Sequence, residues 1–426
     1  MTDLRLDPAT RSSGGPPVSA PLISDYGVIG DMRTAALIGL DGGIDWCCLP
    51  RFDSGSVFAA LLDRERGGTW AIRPCGERTS TQRYLPRTNI LETTFRTPDG
   101  VVILTDFMPV DEDGRPSGPH PEIHRQLRCP RGRVPMQMVF MPRFEYGARA
   151  TRLEVLRAGL FATDRTDQVL TLSSARPFQW VVEQSTATTQ FDIEKGESRW
   201  LVLRYDDDDV HPVDRYESAR KLDITAAYWA RWAAAVRYSG PFRGMVKRSA
   251  LALKLLTHAE TGAIIAAATT SLPEAIGGQR NWDYRFVWLR DAAFTLAALD
   301  AVGHHREADA FMRFLKRVCR HEGGGHLQTM YGIDGRRDLV ERQLDHLQKL
   351  PLPGVVAGML PPPIHGSRLL DPLHFLKLPR LDHDPPRLAL MESLYSARNP
   401  DLARFRDRGG KLILYHGWDD AEIPPL

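Results

Sequence analysis

The stretch NILETTFRTPDGVVILT, residues 89–105, decides the character of the first half of this 426-residue chain. Its flanks are rich in Leu, Ile, Val, Phe and Thr, which suit a pleated, half-buried surface. Pro98-Asp99-Gly100 between them is turn chemistry, so the segment reads as a β-hairpin. Working outward, Asp41-Gly42-Gly43 separates AALI (35–38) from IDWCCL (44–49) and predicts a second hairpin. Glu194-Lys195-Gly196-Glu197 joins TTQFDI (188–193) to WLVL (200–203) and predicts a third. Short strands repeated with turns between them, from residue 22 to about residue 205, indicate an antiparallel β-sandwich. Residues 1–20 are aperiodic and hold Ser, Pro and Gly, as a loose tail does.

The period then changes. Ile224, Tyr228, Trp232 and Val236 stand four apart, on one face of a helix expected over residues 216–238. MVKRSALALKLLTH (245–258) predicts a second helix, residues 289–302 a third, and residues 305–320 a fourth. In the fourth, Ala308, Phe311, Met312, Leu315 and Cys319 form the apolar stripe. After Gln348 the composition shifts. Residues 350–386 are crowded with proline, which fixes φ and removes a donor, so the helical array cannot continue there. KLILYHGWDD (411–420), preceded by a helical pattern and Gly409-Gly410, reads as a buried strand and loop of α/β type.

Composition removes several classes of function. At roughly 150 residues per domain, the length predicts about two or three domains. Lys and Arg number 55 against 53 Asp and Glu, for a formal charge of +2, whereas nucleic-acid binding calls for a large basic excess. The longest apolar run, residues 262–272, is Thr-interrupted and falls short of the roughly 18 residues that span a membrane. The first twenty residues contain no apolar signal core, and five cysteines, two of them adjacent, form neither an even disulfide framework nor metal spacing. The expectation is a soluble cytoplasmic protein without nucleic-acid or membrane partners.

The densest chemistry is RNWDYRFVWLRD, residues 280–291. Indole faces stack on sugar rings, and Arg with Asp offers donors and acceptors to vicinal hydroxyls. Trp282, Asp283, Trp288, Arg290 and Asp291 therefore hold the vocabulary of a sugar pocket. An Arg–Asp ion pair beside core tryptophans at a helix start accounts for the same residues. SLPEAIGGQRNWDYRFVWLRDAAFTLAAL (271–299) closely resembles the motif of bacterial glycoside hydrolase family 15. SDYGVIGDMRTAALIGLDGGIDWCCLPRFDSGSVFAALLD (24–63) is similar to the trehalase-like N-terminal domain of those proteins. RGRVPMQMVFMPRFEYG (131–147) and QTMYGIDGRRDLVERQLDHLQ (328–348) extend the resemblance across about residues 22–348.

The resemblance implies hydrolysis of α-glucosidic bonds, as in trehalose or malto-oligosaccharides, on an (α/α)₆ toroid, with no metal or organic cofactor. It tips the motif toward sugar binding: Arg290 and Asp291 match the Arg-Asp that holds the terminal glucose, with Trp282, Asp283 and Trp288 lining the pocket. The implied mechanism is inverting, one glutamic acid protonating the glycosidic oxygen and a second activating water. Both glutamates belong to later toroid helices, and the resemblance stops at about Lys349 before either appears. Asp338 and Glu341 lie inside the matched segment, where solvation or capping accounts for them.

NPDLARFRDRGGKLILYHGWDDAEIPP (399–425) is similar to the C-terminal part of the tannase/feruloyl esterase family, whose triad acid corresponds to Asp420. No G-x-S-x-G elbow occurs in the chain, so Asp420 stands as an orphan triad acid. Weaker signals read plainly. HEGGGH (321–326) has one residue too many for a zinc helix, Asp206 to Asp209 form a solvated turn, and residues 125–133 form a charged loop.

The expected fold is thus multidomain α+β: an antiparallel β-sandwich, an incomplete (α/α)₆ toroid, and a short α/β-hydrolase-like fragment. The expected boundaries are a tail at 1–21, a trehalase-like N-terminal domain at 22–214 and a linker helix at 215–240. The truncated toroid follows at 241–348, and the Pro-rich join with its esterase-like fragment at 349–426. The expected function is that of an α-glucoside hydrolase with little or no turnover in this chain. A non-catalytic sugar-binding or structural relic is the alternative, and aryl-ester hydrolysis by the tail a third reading.

Overall fold

In the computed structural model, residues 21, 23–175, 177–270, 282–321, 328–340 and 344–348 are described. The opening hairpin forms between Leu91–Thr97 and Gly100–Phe107, in register from Leu91 opposite Asp106 to Thr97 opposite Gly100. The second forms between Ala35–Gly39 and Gly43–Cys48. Among the described residues, fifteen strands join into one antiparallel network. Its spine is Glu122–Met141, a single twenty-residue strand. Trp70, Ile72 and Phe140 from one side of this network and Phe95, Leu104 and Leu203 from the other enter the same core.

The third expected hairpin needs correction. Both strands exist, as Thr186–Glu194 and Ser198–Tyr205, but they do not pair with each other. Each pairs with a different half of the spine, residues 133–140 and 122–128 respectively. The turn between them is a corner that rides on a bend in the spine. Lys195 donates its backbone N–H to the Gly132 carbonyl (2.8 Å), and Cys129 donates to the Glu197 carbonyl (3.1 Å). Gly132 has φ +82°, and a Cβ there would lie 1.9 Å from the Asp99 carbonyl oxygen, so the bend requires glycine.

The same spine corrects the charged loop expected at 125–133, which is strand. Arg125 is fully buried. Its Nε contacts Asp106 Oδ1 at 2.7 Å, while Nη1 and Nη2 donate to the carbonyls of Trp70 (2.8 Å) and Gly42 (2.7 Å). A locally basic stretch at the surface would look identical in sequence.

Helices follow: α1 (Ser218–Ala234), α2 (Arg243–Leu255), α3 (Leu289–Ala301), α4 (Arg306–His321) and the single turn α5 (Asp345–Gln348). Of the four expected stripe residues Tyr228 is buried in α1, Ile224 and Trp232 are half-buried and Val236 is buried just past its end, while Thr225, Trp229 and Ala233 are buried besides. This helix has work on two sides. Thr225 Oγ1 accepts the Val110 N–H (3.0 Å) from the β region, while Trp232 Nε1 donates to Glu307 Oε1 (3.2 Å) at the start of α4. In α4 the stripe is displaced: Ala308, Phe311, Phe314, Leu315 and Val318 are buried, and Cys319 is exposed. Its spacing of three and four alternates, which the choice of Cys319 missed. Val236, Val246, Ala250, Leu299 and Val302 tie α1, α2 and α3 into one apolar cluster. A large antiparallel β region followed by packed helices is therefore the architecture, an α+β arrangement. No helix among the described residues is long and apolar enough to cross a membrane.

Candidate functional site

The sugar-like motif enters the described residues at Trp282 and turns through a short strand, Val287–Trp288, into α3. Val287–Trp288 pairs antiparallel with Met330–Tyr331, so the two segments singled out in sequence lie side by side. Leu289 adds a bond from its N–H to the Thr329 carbonyl (3.1 Å). Asp291 falls in the first turn of α3, where the helix dipole favours a carboxylate.

Trp288, Arg290 and Asp291 come together. Arg290 Nη2 lies 3.1 Å from Asp291 Oδ2, and its guanidinium carbon stands 5.9 Å from the centre of the Trp288 ring. Tyr284 packs against the same indole at 5.8 Å. The Arg290 side chain is 59% exposed and that of Asp291 28%, so the guanidinium faces solvent while Asp291 Oδ2 is shielded beneath it. Trp282 is 48% exposed, and its carbonyl accepts from Thr270 Oγ1 (3.4 Å). An aromatic, a guanidinium and a carboxylate presented in this way can stack on a pyranose and hydrogen-bond adjacent hydroxyls.

Asp283 does something different. Its carboxylate is forked by Arg285, Nε to Oδ1 at 2.9 Å and Nη2 to Oδ2 at 2.6 Å, and its carbonyl accepts from Trp288 Nε1 at 2.9 Å. Sequence reading passed over Arg285. The guanidinium is buried against the β region, where Nη1 donates to the Ser54 carbonyl (2.6 Å) and approaches Cys48 Sγ (3.1 Å). It also stands 5.6 Å from the Trp46 ring centre and 5.5 Å from that of Tyr146. Burial by itself would lower the Arg285 pKa; Cys48, Tyr146 and above all the ion-paired Asp283 carboxylate beside it offset this and hold it well above the ordinary value. Burial pushes the Cys48 thiol up to about 11, partly opposed by Arg285. Cys48 is thus neutral near pH 7, and the Asp283 carboxylate supplies the counter-charge.

A second set of charges crosses the same boundary. Asp53 pairs with Arg51 (3.3 Å) and Arg336 (2.7 Å), and Asp334 pairs with Arg336 (3.0 Å) and Arg51 (3.4 Å). One signal would have found all three junction pairs. Arg51/Asp53, Asp283/Arg285 and Asp334/Arg336 are opposite charges two residues apart, each pair in or beside a turn. Asp338 is exposed. Glu341, most of the 321–326 segment, Asp420 and the entire 349–426 region lie outside the described residues. Among the described residues no cluster of three His, Cys, Asp or Glu side chains is placed to hold a metal ion.

Residues 17–229 match the family described as Trehalase-like, N-terminal, and residues 240–356 match Glycosyl hydrolases family 15. Residues 370–426 match Tannase and feruloyl esterase. A trehalase of Thermoplasma volcanium is 38% identical over 331 residues, covering 76% of this chain and 52% of that protein. A trehalase of Thermoplasma acidophilum is 38% identical over 314 residues, covering 72% and 52%. A trehalase of Mycobacterium tuberculosis is 34% identical over 377 residues, covering 81% and 54%. The chain spans about half the length of the curated relatives it matches.

Proposed function

Starting from a chain that belongs to the proteins built on the trehalase-like N-terminal domain and continues into a glycosyl hydrolases family 15 region, we propose that it acts on α-glucosidic bonds. The substrate class is trehalose or a malto-oligosaccharide. Arg290 and Asp291 hold the terminal glucose, with Trp288 and Trp282 lining its faces and Asp283 reaching it through its hold on Trp288. The observation that carries this reading is the grouping of Trp288, Arg290 and Asp291 at the solvent-facing start of α3, inside the matched region. In this reading α2, α3 and α4 are the opening helices of an (α/α)₆ toroid.

The chemistry is inversion by two carboxyl groups spaced to admit a water molecule, roughly 6.5–9.5 Å apart. The resemblance implies that both glutamates lie on helices later than those of residues 241–348, and residues 370–426 match another family. Little or no turnover is therefore expected of this chain, which leaves sugar binding as the property to test. The esterase-like tail carries no elbow serine, so Asp420 has no nucleophile to serve.

Calorimetry with trehalose, maltose and glucose, run beside a glucose-release assay, tests the proposal. Binding that weakens at least tenfold in Asp291→Ala is expected, with glucose release at background. Undiminished binding in Asp291→Ala would remove the assigned role, and enzyme-like glucose release would overturn the expectation of inactivity.

A further inference from the structure

We infer that Arg285 is a positioning residue through which the β region sets the geometry of the sugar-facing segment. The argument begins with where that segment gets its shape. Residues 283–291 comprise a loop, a two-residue strand and the first three residues of α3. Backbone bonds hold the path of this segment, with the Tyr284 and Phe286 carbonyls accepting from Ala267 (2.8 Å) and Ala266 (3.2 Å), but they do not by themselves orient its side chains, and a pocket needs its groups held to within about half an ångström.

The fixing comes from outside. The loop that follows Gly43–Cys48 holds the motif at one point and the segment paired with it at another. The Ser54 carbonyl receives Arg285 Nη1 at 2.6 Å, and Asp53 receives Arg336 at 2.7 Å from the segment behind Met330–Tyr331. The strand pair Val287–Trp288 with Met330–Tyr331 couples those two points. From Arg285 the constraint passes to Asp283 by a two-pronged ion pair, from Asp283 to the Trp288 indole by a 2.9 Å hydrogen bond, and from Trp288 to Arg290 by ring contact. A third tie, Trp46 Nε1 to the Ala268 carbonyl at 2.8 Å, pins the chain just before the motif to the same β region. Arg285 is the only member of this chain of contacts whose five donors are arranged to grip both a carboxylate fork and a carbonyl. Lysine can match its charge but not that geometry.

The sugar arm of this inference rests on the α-glucoside reading; the positional arm does not. The test uses the full chain with Arg285→Lys and Asp283→Asn. Amide hydrogen exchange is followed over residues 283–291 and over the Glu122–Met141 strand, and trehalose affinity is measured by calorimetry. Both variants are expected to lose protection at least tenfold over 283–291 while the spine strand stays protected, and to bind trehalose at least tenfold more weakly. Unchanged exchange over 283–291 in both variants overturns the inference. So does unchanged trehalose affinity in variants whose 283–291 exchange has risen. If Arg285→Lys loses protection in the spine strand as well, Asp283→Asn decides alone. If the unaltered chain binds no trehalose, the α-glucoside reading fails and the exchange result still judges the positional role.

Discussion

At Asp106 and Arg125 two charges sit fully buried, each answered by the other, with Arg125 donating besides to two backbone carbonyls. A pair of this kind adds little net stability when intact, yet removing one partner strands the other in a low-dielectric core. Asp106→Ala should therefore cost about 3–5 kcal/mol, read as a shift of the urea midpoint. A midpoint within 0.5 M of the unaltered protein would show that Arg125 finds water or another acceptor. The pair belongs to the scaffold, and nothing in the residues 125–133 distinguishes Arg125 from its exposed neighbour Arg131. Arg290 and Asp291 present the reverse case. Their neighbours in sequence made them conspicuous, whereas Asp283, equally conspicuous, turns its carboxylate to Arg285. Residue type announces that a group can bind sugar; what already occupies its hydrogen bonds decides whether it is available.

Among the elements, the strands of the three expected hairpins and the four expected helices came out where the hydrophobic period placed them, because period reports burial, whereas residues 125–133 proved to be strand and not loop. Partners were harder. Thr186–Glu194 and Ser198–Tyr205 are close enough in sequence to make a hairpin, yet both find the longer spine strand instead. The α4 stripe shows the finer limit. Phe314 and Val318 are buried and Cys319 is not, a rotation of one position that only the neighbouring helices select. Phe314→Ala should destabilise by about 3–5 kcal/mol, whereas Cys319→Ser should stay within about 0.5 kcal/mol. Thermal melts of both decide it; equal losses would mean that the stripe is wrongly assigned.

For the whole molecule, a buried histidine at the junction between β region and helices makes stability depend on pH. Burial lowers the His258 pKa from its ordinary 6.5 to about 4, where its ring packs edge-on to Phe52. The unfolded chain takes up a proton at this residue below about pH 6.5, while the folded chain does so only near pH 4. The resulting stability is present above pH 6.5 and is lost as the pH falls toward 4, to a total on the order of 3 kcal/mol. His124 and His304 are also lowered by burial and act in the same direction. The unaltered chain should thus lose more stability between pH 7 and pH 4 than His258→Gln does, as parallel denaturant titrations at each pH will report; equal losses would place the His258 ring in solvent. The physical divide runs along contact order. Alternation, helical period, turn residues and the motif at 280–291 are local, so the amino-acid order by itself determined an antiparallel β half, a helical half and the Trp288–Arg290–Asp291 group. Which strands pair across the corner, that Arg125 is interior, and that Ser54 and Asp53 hold a motif more than two hundred residues away were decided only by tertiary structure. Those bonds depend on the closing of long loops, and a long-range partner leaves no periodic trace in the chain around it.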